Sequence, residues 1–314
     1  MKKIHRTILV WFLTIAFFGV AFILTLYAMG WRYDFQKRKL VQVGGIFITS
    51  HPPDAKVFVD GKAQKRTNVF TGNLALENIF PKKYKVRLEK ENFFPLEREV
   101  EVKGREVCPL ELWLFPKLSF SEYQGNPKNL EFFQKEVLEP GVVAKAKENS
   151  TVYVLDVFGT LKKNGEVLNF EKMKINPKEK VNLKIAGSWV FVQKKDDFYY
   201  LREGKWEKVE KAIKGVDGLE DEVLVFTHDE IYLFDPKEKE YEFLYRFGDE
   251  IKNALFLNKH HLLVATKDKV FATEKVPNGN VFELLKIQNP EIFYDKKGKT
   301  IYVKSKDQIL FSRY

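Results

Sequence analysis

The chain has 314 residues, which is long enough for an anchor followed by two folded domains. Its 28 Phe and 13 Tyr favour β-structure, because aromatic side chains suit a half-buried pleated sheet. The formal net charge of +10 is uneven: residues 1–40 hold seven Lys or Arg and one Asp, whereas residues 121–314 hold 33 basic and 32 acidic residues. A nucleic-acid binder carries its basic charge on a folded domain, so this distribution argues against nucleic acid as a partner.

The first predicted element is the apolar run of residues 8–31, which contains no charged side chain. As a helix it would be about 36 Å long, enough to cross the ~30 Å hydrocarbon core of a bilayer. A cleaved signal peptide is the alternative, but its apolar region is only ~7–15 residues long. We therefore predict a transmembrane helix at 8–31 that contacts the lipid bilayer, after a basic tail (1–7) and before a linker (32–44). Basic residues flank the run on both sides, so charge alone does not orient it.

A small all-β domain is predicted at residues 45–117. Strand-like runs cover residues 46–50, 55–60, 74–76, 84–89 and 97–102. The second run ends in Asp60-Gly61, a dipeptide that favours the type I′ turn of a hairpin.

This domain resembles the PEGA domain family. Pro52-Pro53-Asp54-Ala55 stands in the place of the family's Pro-Glu-Gly-Ala step, and the Asp-Gly turn and a Leu-x-Pro-Gly-x-Tyr-x-Val-like segment at residues 76–86 follow in order. Residues 30–34 are similar to the segment after the anchor in bacterial membrane-tethered PEGA proteins. The resemblance implies a β-sandwich-like module, a soluble region outside the cytoplasm, and a binding or scaffolding role.

Several positions depart from the family pattern, which often has glycine there. Asp54 and Asn92 occupy two such positions, and Lys82 or Lys83 occupies a third. Asp and Asn tolerate left-handed backbone better than other residues with a side chain, so we expect it at Asp54 and Asn92. Lysine does not, so we expect the turn before Tyr84 to have a different geometry.

A second all-β domain is predicted at residues 118–314, where one pattern recurs. An apolar strand is followed by a polar turn and a short aromatic strand, in units that start near residues 151, 188, 222, 261 and 300. The spacing approaches the ~40–45 residues of a propeller blade. The domain resembles a degenerate β-propeller of about five blades, in which the apolar strand is an inner strand. An ordinary sandwich or meander is the alternative, and the sequence does not identify the strand that closes the ring.

The sequence carries no recognisable catalytic or metal-binding pattern, so we predict no catalytic, cofactor-binding or metal-binding residue and no cofactor. The chain contains no Gly-rich phosphate loop, His-Glu-x-x-His or Gly-x-Ser-x-Gly motif. Cys108 has apolar neighbours and is expected to be a small buried hydrophobe. The five histidines are His5, His51, His228 and the pair His260-His261, and adjacent strand side chains point to opposite faces. The acids of the repeat turns, Asp196-Asp197, Asp229-Glu230 and Asp307, are best explained by turn chemistry.

The leading hypothesis is a non-enzymatic, single-pass membrane protein whose all-β soluble region binds or scaffolds an envelope protein or glycan. One alternative is an envelope hydrolase or lyase with its site on the propeller axis. Converging carboxylates and aromatic side chains on the axis would favour that enzyme, and an apolar axis would weaken it. The other alternative is a structural spacer without a ligand.

Overall fold

The computed structural model describes residues 3–35, 37–126, 130, 138–148, 150–176, 179–306 and 308–314. The chain divides into two compact units, Met1–Pro116 and Lys117–Tyr314.

Helix α1 spans Lys3–Ala28. Its segment Leu9–Ala28 is long and apolar enough to cross a membrane, and none of it is buried inside the protein. This helix is compatible with single-pass membrane anchoring, a property that it shares with signal segments.

The helix ends three residues before the predicted limit at residue 31. The Met29 N–H still donates to the Thr25 carbonyl at 2.9 Å, but Gly30 adopts a positive φ of 80°, which turns the chain out of the helix. Residues 32–44, predicted as a linker, contain most of a hairpin instead. Its strands are β1 (Trp31–Asp34) and β2 (Lys39–Gln42), with Trp31 opposite Gln42.

The rest of the first unit is a β-sandwich. A three-stranded sheet in the order β6-β3-β9 faces a four-stranded sheet in the order β5-β4-β7-β8, and β3 pairs with β9 in parallel. The strands are β3 (Gly44–His51), β4 (Lys56–Val59), β5 (Lys62–Ala63), β6 (Asn73–Ile79), β7 (Lys83–Glu89), β8 (Leu96–Glu101) and β9 (Val107–Trp113).

Alternation along the strands builds the sandwich core. In β7, Val86 and Leu88 are buried while Lys83, Lys85 and Arg87 are exposed, as period-two alternation requires. Residues of both sheets complete one apolar cluster, including Ile46, Ile48, Val57, Leu96 and Leu112.

Several turns of the sandwich contain residues with positive φ. Asp60 and Gly61 both have positive φ, as predicted for the hairpin between β4 and β5. Asp54 and Asn92 have φ of 59° and 63°, which confirms the expectation of left-handed backbone. The turn before Tyr84 has a different geometry, because the positive φ in this part of the chain falls on Asn78.

The second unit is a β-propeller, and the described residues form five four-stranded antiparallel blades. Blade 1 contains β11 (Val142–Glu148), β12 (Thr151–Asp156), β13 (Leu161–Lys163) and β14 (Glu166–Val167); blade 2 contains β15 (Val181–Ala186), β16 (Trp189–Lys194), β17 (Asp197–Arg202) and β18 (Lys205–Lys208); blade 3 contains β19 (Gly215–Leu219), β20 (Glu222–Phe226), β21 (Glu230–Asp235) and β22 (Glu240–Arg246); blade 4 contains β23 (Ile251–Phe256), β24 (His261–Thr266), β25 (Lys269–Glu274) and β26 (Val281–Lys286); blade 5 contains β27 (Glu291–Asp295), β28 (Thr300–Ser305), β29 (Gln308–Arg313) and β10 (Ser121–Glu122).

Strand β10 closes the ring. It comes from the start of the unit and pairs antiparallel with β29 near the chain end, so that Ser121 lies opposite Phe311. The first strands of the five blades (β11, β15, β19, β23 and β27, the inner strands) surround one central cavity. This arrangement confirms the prediction of a five-bladed propeller-like domain.

The prediction that the apolar strand of each unit is an inner strand is wrong. The apolar strands of the repeat are the second strands of the blades, one position out from the inner strands. They are the most buried because each has a paired strand on both edges and a neighbouring blade on its faces. In β24, for example, every residue from His261 to Thr266 is buried. Apolar periodicity therefore marks the middle of each sheet and not the axis.

Candidate functional site

The propeller axis contains a cavity of about 390 Å³ lined by all five inner strands. Two carboxylates, those of Glu148 and Asp217, line it together with Lys184, Asn253 and Tyr294. Apolar side chains from the same strands, such as Leu183 and Val216, complete the wall. The axis is therefore of mixed polarity, between the two extremes that the sequence left open.

Burial shifts the pKa values of Asp217 and Lys184 in this cavity. Burial raises the pKa of Asp217, although the Phe256 N–H, which donates to its Oδ2 at 2.7 Å, and the nearby Lys296 and Lys184 partly oppose the effect. Burial lowers the pKa of Lys184, and the charge of Asp217 partly offsets that change. Low polarity disfavours both charged forms. Main-chain N–H groups already donate hydrogen bonds to the Asp217 carboxylate, and the one from Phe256 joins blade 3 to blade 4.

A second cavity, of about 460 Å³, lies between blades 2 and 3. We call it the blade 2–3 cleft. Its apolar wall is aromatic: the Phe234 ring stacks on the Tyr241 ring with centroids 4.6 Å apart, and the Trp189 ring packs edge-on against Tyr200 at 6.0 Å. Trp189 and Tyr241 are half-buried, and Lys211 Nζ lies 5.3 Å from the Tyr241 ring centroid.

Two glycines bring the walls of this cleft together. A Cβ atom on Gly218 would lie 1.9 Å from the Gly187 nitrogen, and one on Gly187 would lie 2.1 Å from the Glu220 carbonyl oxygen. The turns that end β15 and β19 can therefore touch only because these positions lack a side chain. This close approach places Trp189 of blade 2 beside Glu222 of blade 3.

The rim of the cleft is acidic. Five carboxylates line it against one lysine, Lys237; they belong to Asp221, Glu222, Asp235, Glu240 and Glu242. Two have structural partners: both Glu222 oxygens accept from Lys275 Nζ, and Asp235 Oδ1 accepts the Lys237 N–H at 2.8 Å. Asp221, Glu240 and Glu242 are exposed. The negative electrostatic potential of these exposed carboxylates favours a positively charged ligand.

The acids predicted from the repeat turns stay within their own blades. Asp197 pairs with Lys208 at 2.8 Å, and Glu230 pairs with Arg246. Asp229 lies 3.8 Å from Arg246. Asp307 falls outside the described residues. These contacts suit surface ion pairs that close hairpins.

The cysteine and histidines also have structural surroundings. Cys108 is half-buried and packs against the sandwich core. His51 Nε2 lies 3.0 Å from Glu111 Oε1, and its ring stacks on Trp113 with centroids 3.9 Å apart. His261 is buried at the start of β24. Across the residues that the structure describes, no group of three or more His, Cys, Asp or Glu side chains could hold a metal ion.

Comparison with protein families gives a match over the sandwich. The PEGA domain family matches residues 43–117. This part of the chain is a PEGA domain. The match begins at the end of the β1–β2 hairpin and ends where the propeller unit begins. Comparison with curated proteins gives no match.

Among solved structures, the chain is similar to YCF48 from Cyanidioschyzon merolae, with 11% identity, a TM-score of 0.42, and coverage of 74% of this chain and 77% of that one. It is also similar to virginiamycin B lyase from Staphylococcus aureus, with 12% identity, a TM-score of 0.38, and coverage of 62% and 74%. A PEGA domain beside a propeller fits a binding or scaffolding role at the cell surface.

Proposed function

We propose that the chain is a single-pass membrane protein whose propeller binds a basic segment of a partner protein outside the cytoplasm. Helix α1 is the anchor, the PEGA domain follows it, and the propeller carries the binding site. The observation that carries the proposal is the blade 2–3 cleft, where an aromatic wall stands inside an acidic rim.

The two parts of the cleft suit the two parts of a Lys or Arg side chain. Trp189 offers ring surface to the aliphatic stem and to the cation, and such cation–π contacts contribute about 0.5–2 kcal/mol. Tyr241, whose ring already stacks on Phe234 and lies 5.3 Å from Lys211 Nζ, completes the aromatic wall. The exposed carboxylates of Asp221, Glu240 and Glu242 raise the association rate by attracting opposite charge. Aromatic anchors surrounded by a polar rim are the usual anatomy of a protein-binding surface.

The test uses the full chain in phospholipid nanodiscs and three sets of fluorescent peptides: Lys/Arg-rich, acidic and neutral, each with one central aromatic residue. We expect saturable binding of the basic set alone, measured by fluorescence anisotropy. Trp189→Ala removes the central anchor and should weaken binding about tenfold or more, the cost of about 1.4 kcal/mol or more. Glu240→Gln with Glu242→Gln should weaken it less and reduce its dependence on salt.

A matched control is the pair Glu97→Gln and Glu99→Gln, which removes two carboxylates from β8 of the PEGA domain and should leave binding unchanged. Equal binding of all three peptide sets would contradict the proposal, as would basic-peptide binding that Trp189→Ala does not weaken. Absence of saturable binding by the basic set would also contradict the proposal.

A further inference from the structure

The β1–β2 hairpin exposes apolar side chains on one face. Tyr33, Phe35 and Leu40 are exposed over 46%, 82% and 52% of their surface. Tyr33 lies directly opposite Leu40 in the hairpin, and its ring contacts the Phe35 ring at 5.0 Å, so the three share a face. We call this face the hairpin surface.

The hairpin is held firmly to the end of α1. The Arg32 guanidinium lies 3.4 Å from the Tyr27 ring centroid, and its Nη1 donates to the Tyr27 carbonyl at 2.7 Å. Its Nη2 donates to Asn78 Oδ1 of the PEGA domain at 2.8 Å. One side chain therefore links the last turn of the helix, the hairpin and the sandwich.

The position of the hairpin follows from the length of the helix. The 20 apolar residues Leu9–Ala28 span about 30 Å, the thickness of the hydrocarbon core, so the chain emerges into the headgroup layer at residue 29. Trp31 and Tyr33 then lie where aromatic side chains concentrate in membrane proteins. Residues 31–42 also carry four basic side chains and one acid, a charge that complements anionic headgroups; the basic ones are Arg32, Lys37, Arg38 and Lys39.

A cleft of about 530 Å³ adjoins the hairpin surface. Tyr33, Phe35, Phe80 and Tyr84 supply much of its wall. Three lysines (Lys37, Lys62 and Lys82) and two acids (Asp34 and Asp60) also line it, so basic side chains are in excess. Lys82 is held by Asp60 at 2.7 Å and lies 4.4 Å from the Tyr84 ring centroid. An apolar wall with ammonium groups suits a phospholipid, whose acyl chains and phosphate require both.

We propose that the hairpin surface and its cleft lie in the headgroup layer and bind anionic phospholipid, which seats the PEGA domain on the membrane. The inference rests on the proposed anchoring by α1. Lipid binding by the hairpin surface would fix the orientation of the PEGA domain, so that one defined face of the domain lies toward the bilayer.

The test places a nitroxide label in the full chain, with Cys108→Ser removing the native thiol. Phe35→Cys labels the hairpin surface, and Phe70→Cys is the matched control. Phe70 is 93% exposed and lies in a loop at the C-terminal end of β3, where the Gly72 carbonyl accepts the Ser50 N–H. The hairpin lies at the opposite, N-terminal end of β3, where the Val43 N–H donates to the Gly30 carbonyl. Phe17→Cys reports whether α1 itself is in the membrane.

Collision rates with oxygen and with a water-soluble nickel chelate are compared in nanodiscs of phosphatidylcholine with phosphatidylglycerol. We expect the label at position 35 to shift toward the oxygen-rich, nickel-poor environment of position 17, and the label at 70 to remain in water. Replacing Lys37, Arg38 and Lys39 by Gln should shift position 35 back toward water. A label at 35 as water-exposed as the one at 70, with 17 in the bilayer, would overturn this inference but leave the anchor intact. A water-exposed label at 17 would overturn the anchor.

Discussion

Asp217 illustrates how one buried side chain couples the propeller to pH. Its carboxylate receives the Phe256 N–H and thereby joins the inner strands of blades 3 and 4, yet burial raises its pKa. An acid with a higher pKa in the folded chain than in the unfolded chain binds more protons when folded. Its ionisation therefore destabilises the fold progressively as the pH rises through its pKa values.

Asp217→Asn should remove this pH dependence while keeping an acceptor for the Phe256 N–H. We expect the melting temperature of the variant, relative to the natural chain, to increase between pH 4 and pH 8. At the higher pH the natural protein carries a buried, destabilising charge on Asp217, and the variant carries none. Calorimetry of the full chain in detergent measures the difference at each pH. A difference that stays constant, or falls as the pH rises, would show that burial does not control this carboxyl.

At the scale of elements, the two-residue strand β10 determines whether the propeller is a closed ring. Beyond its pairing with β29, the following Tyr123 N–H donates to the Ile309 carbonyl at 2.7 Å. The Tyr123 ring packs edge-on against Tyr302 and Phe311, with centroids 6.0 and 6.2 Å away. The two residues of β10 form few hydrogen bonds, so the contacts of the Tyr123 ring are needed to keep the strand in place.

Tyr123→Ala should lower the free energy of unfolding of the propeller by about 2 kcal/mol, because it removes a packed ring and loosens the closing strand. Tyr123→Phe keeps the ring and serves as the control, which we expect to remain close to the natural chain. Urea unfolding of the full chain in detergent measures both variants. Equal losses in the two variants would mean that the ring contacts do not hold β10.

The repeat of apolar strands predicted five blades because the second strand of each blade, which is paired on both edges, contains several buried apolar residues. The sequence could not identify β10, since two residues carry no periodicity. The blade 2–3 cleft was missed because its walls combine strand residues and turns of two blades, and Gly187 and Gly218 bring the two blades together. Glycine inside an apolar strand, as at Gly218, was the available signal of a close approach. The hairpin after α1 was missed because basic residues and a glycine resemble a linker.

At the scale of the whole molecule, charge is distributed unevenly along the chain. Most of the net positive charge lies in residues 1–40, around α1 and the hairpin, whereas the propeller is nearly neutral overall. Within the propeller, acidic side chains gather at the blade 2–3 cleft. The basic end suits an anionic bilayer, and the acidic cleft suits a basic partner. The proposed arrangement therefore uses opposite charge at its two binding surfaces.

In the proposed function, α1 holds the chain in a membrane with the propeller cleft outside the cytoplasm. Cysteine labelling in intact cells that express the Cys108→Ser chain tests it directly, with Lys3→Cys at the start of α1 and Ser188→Cys in the cleft. With a membrane-impermeant maleimide, we expect position 188 to be labelled on a chain that stays in the membrane after an alkaline wash. Position 3 should be labelled only after the cells are permeabilised. Labelling of position 3 in intact cells, protection of position 188, or release of the chain by the wash would contradict the account.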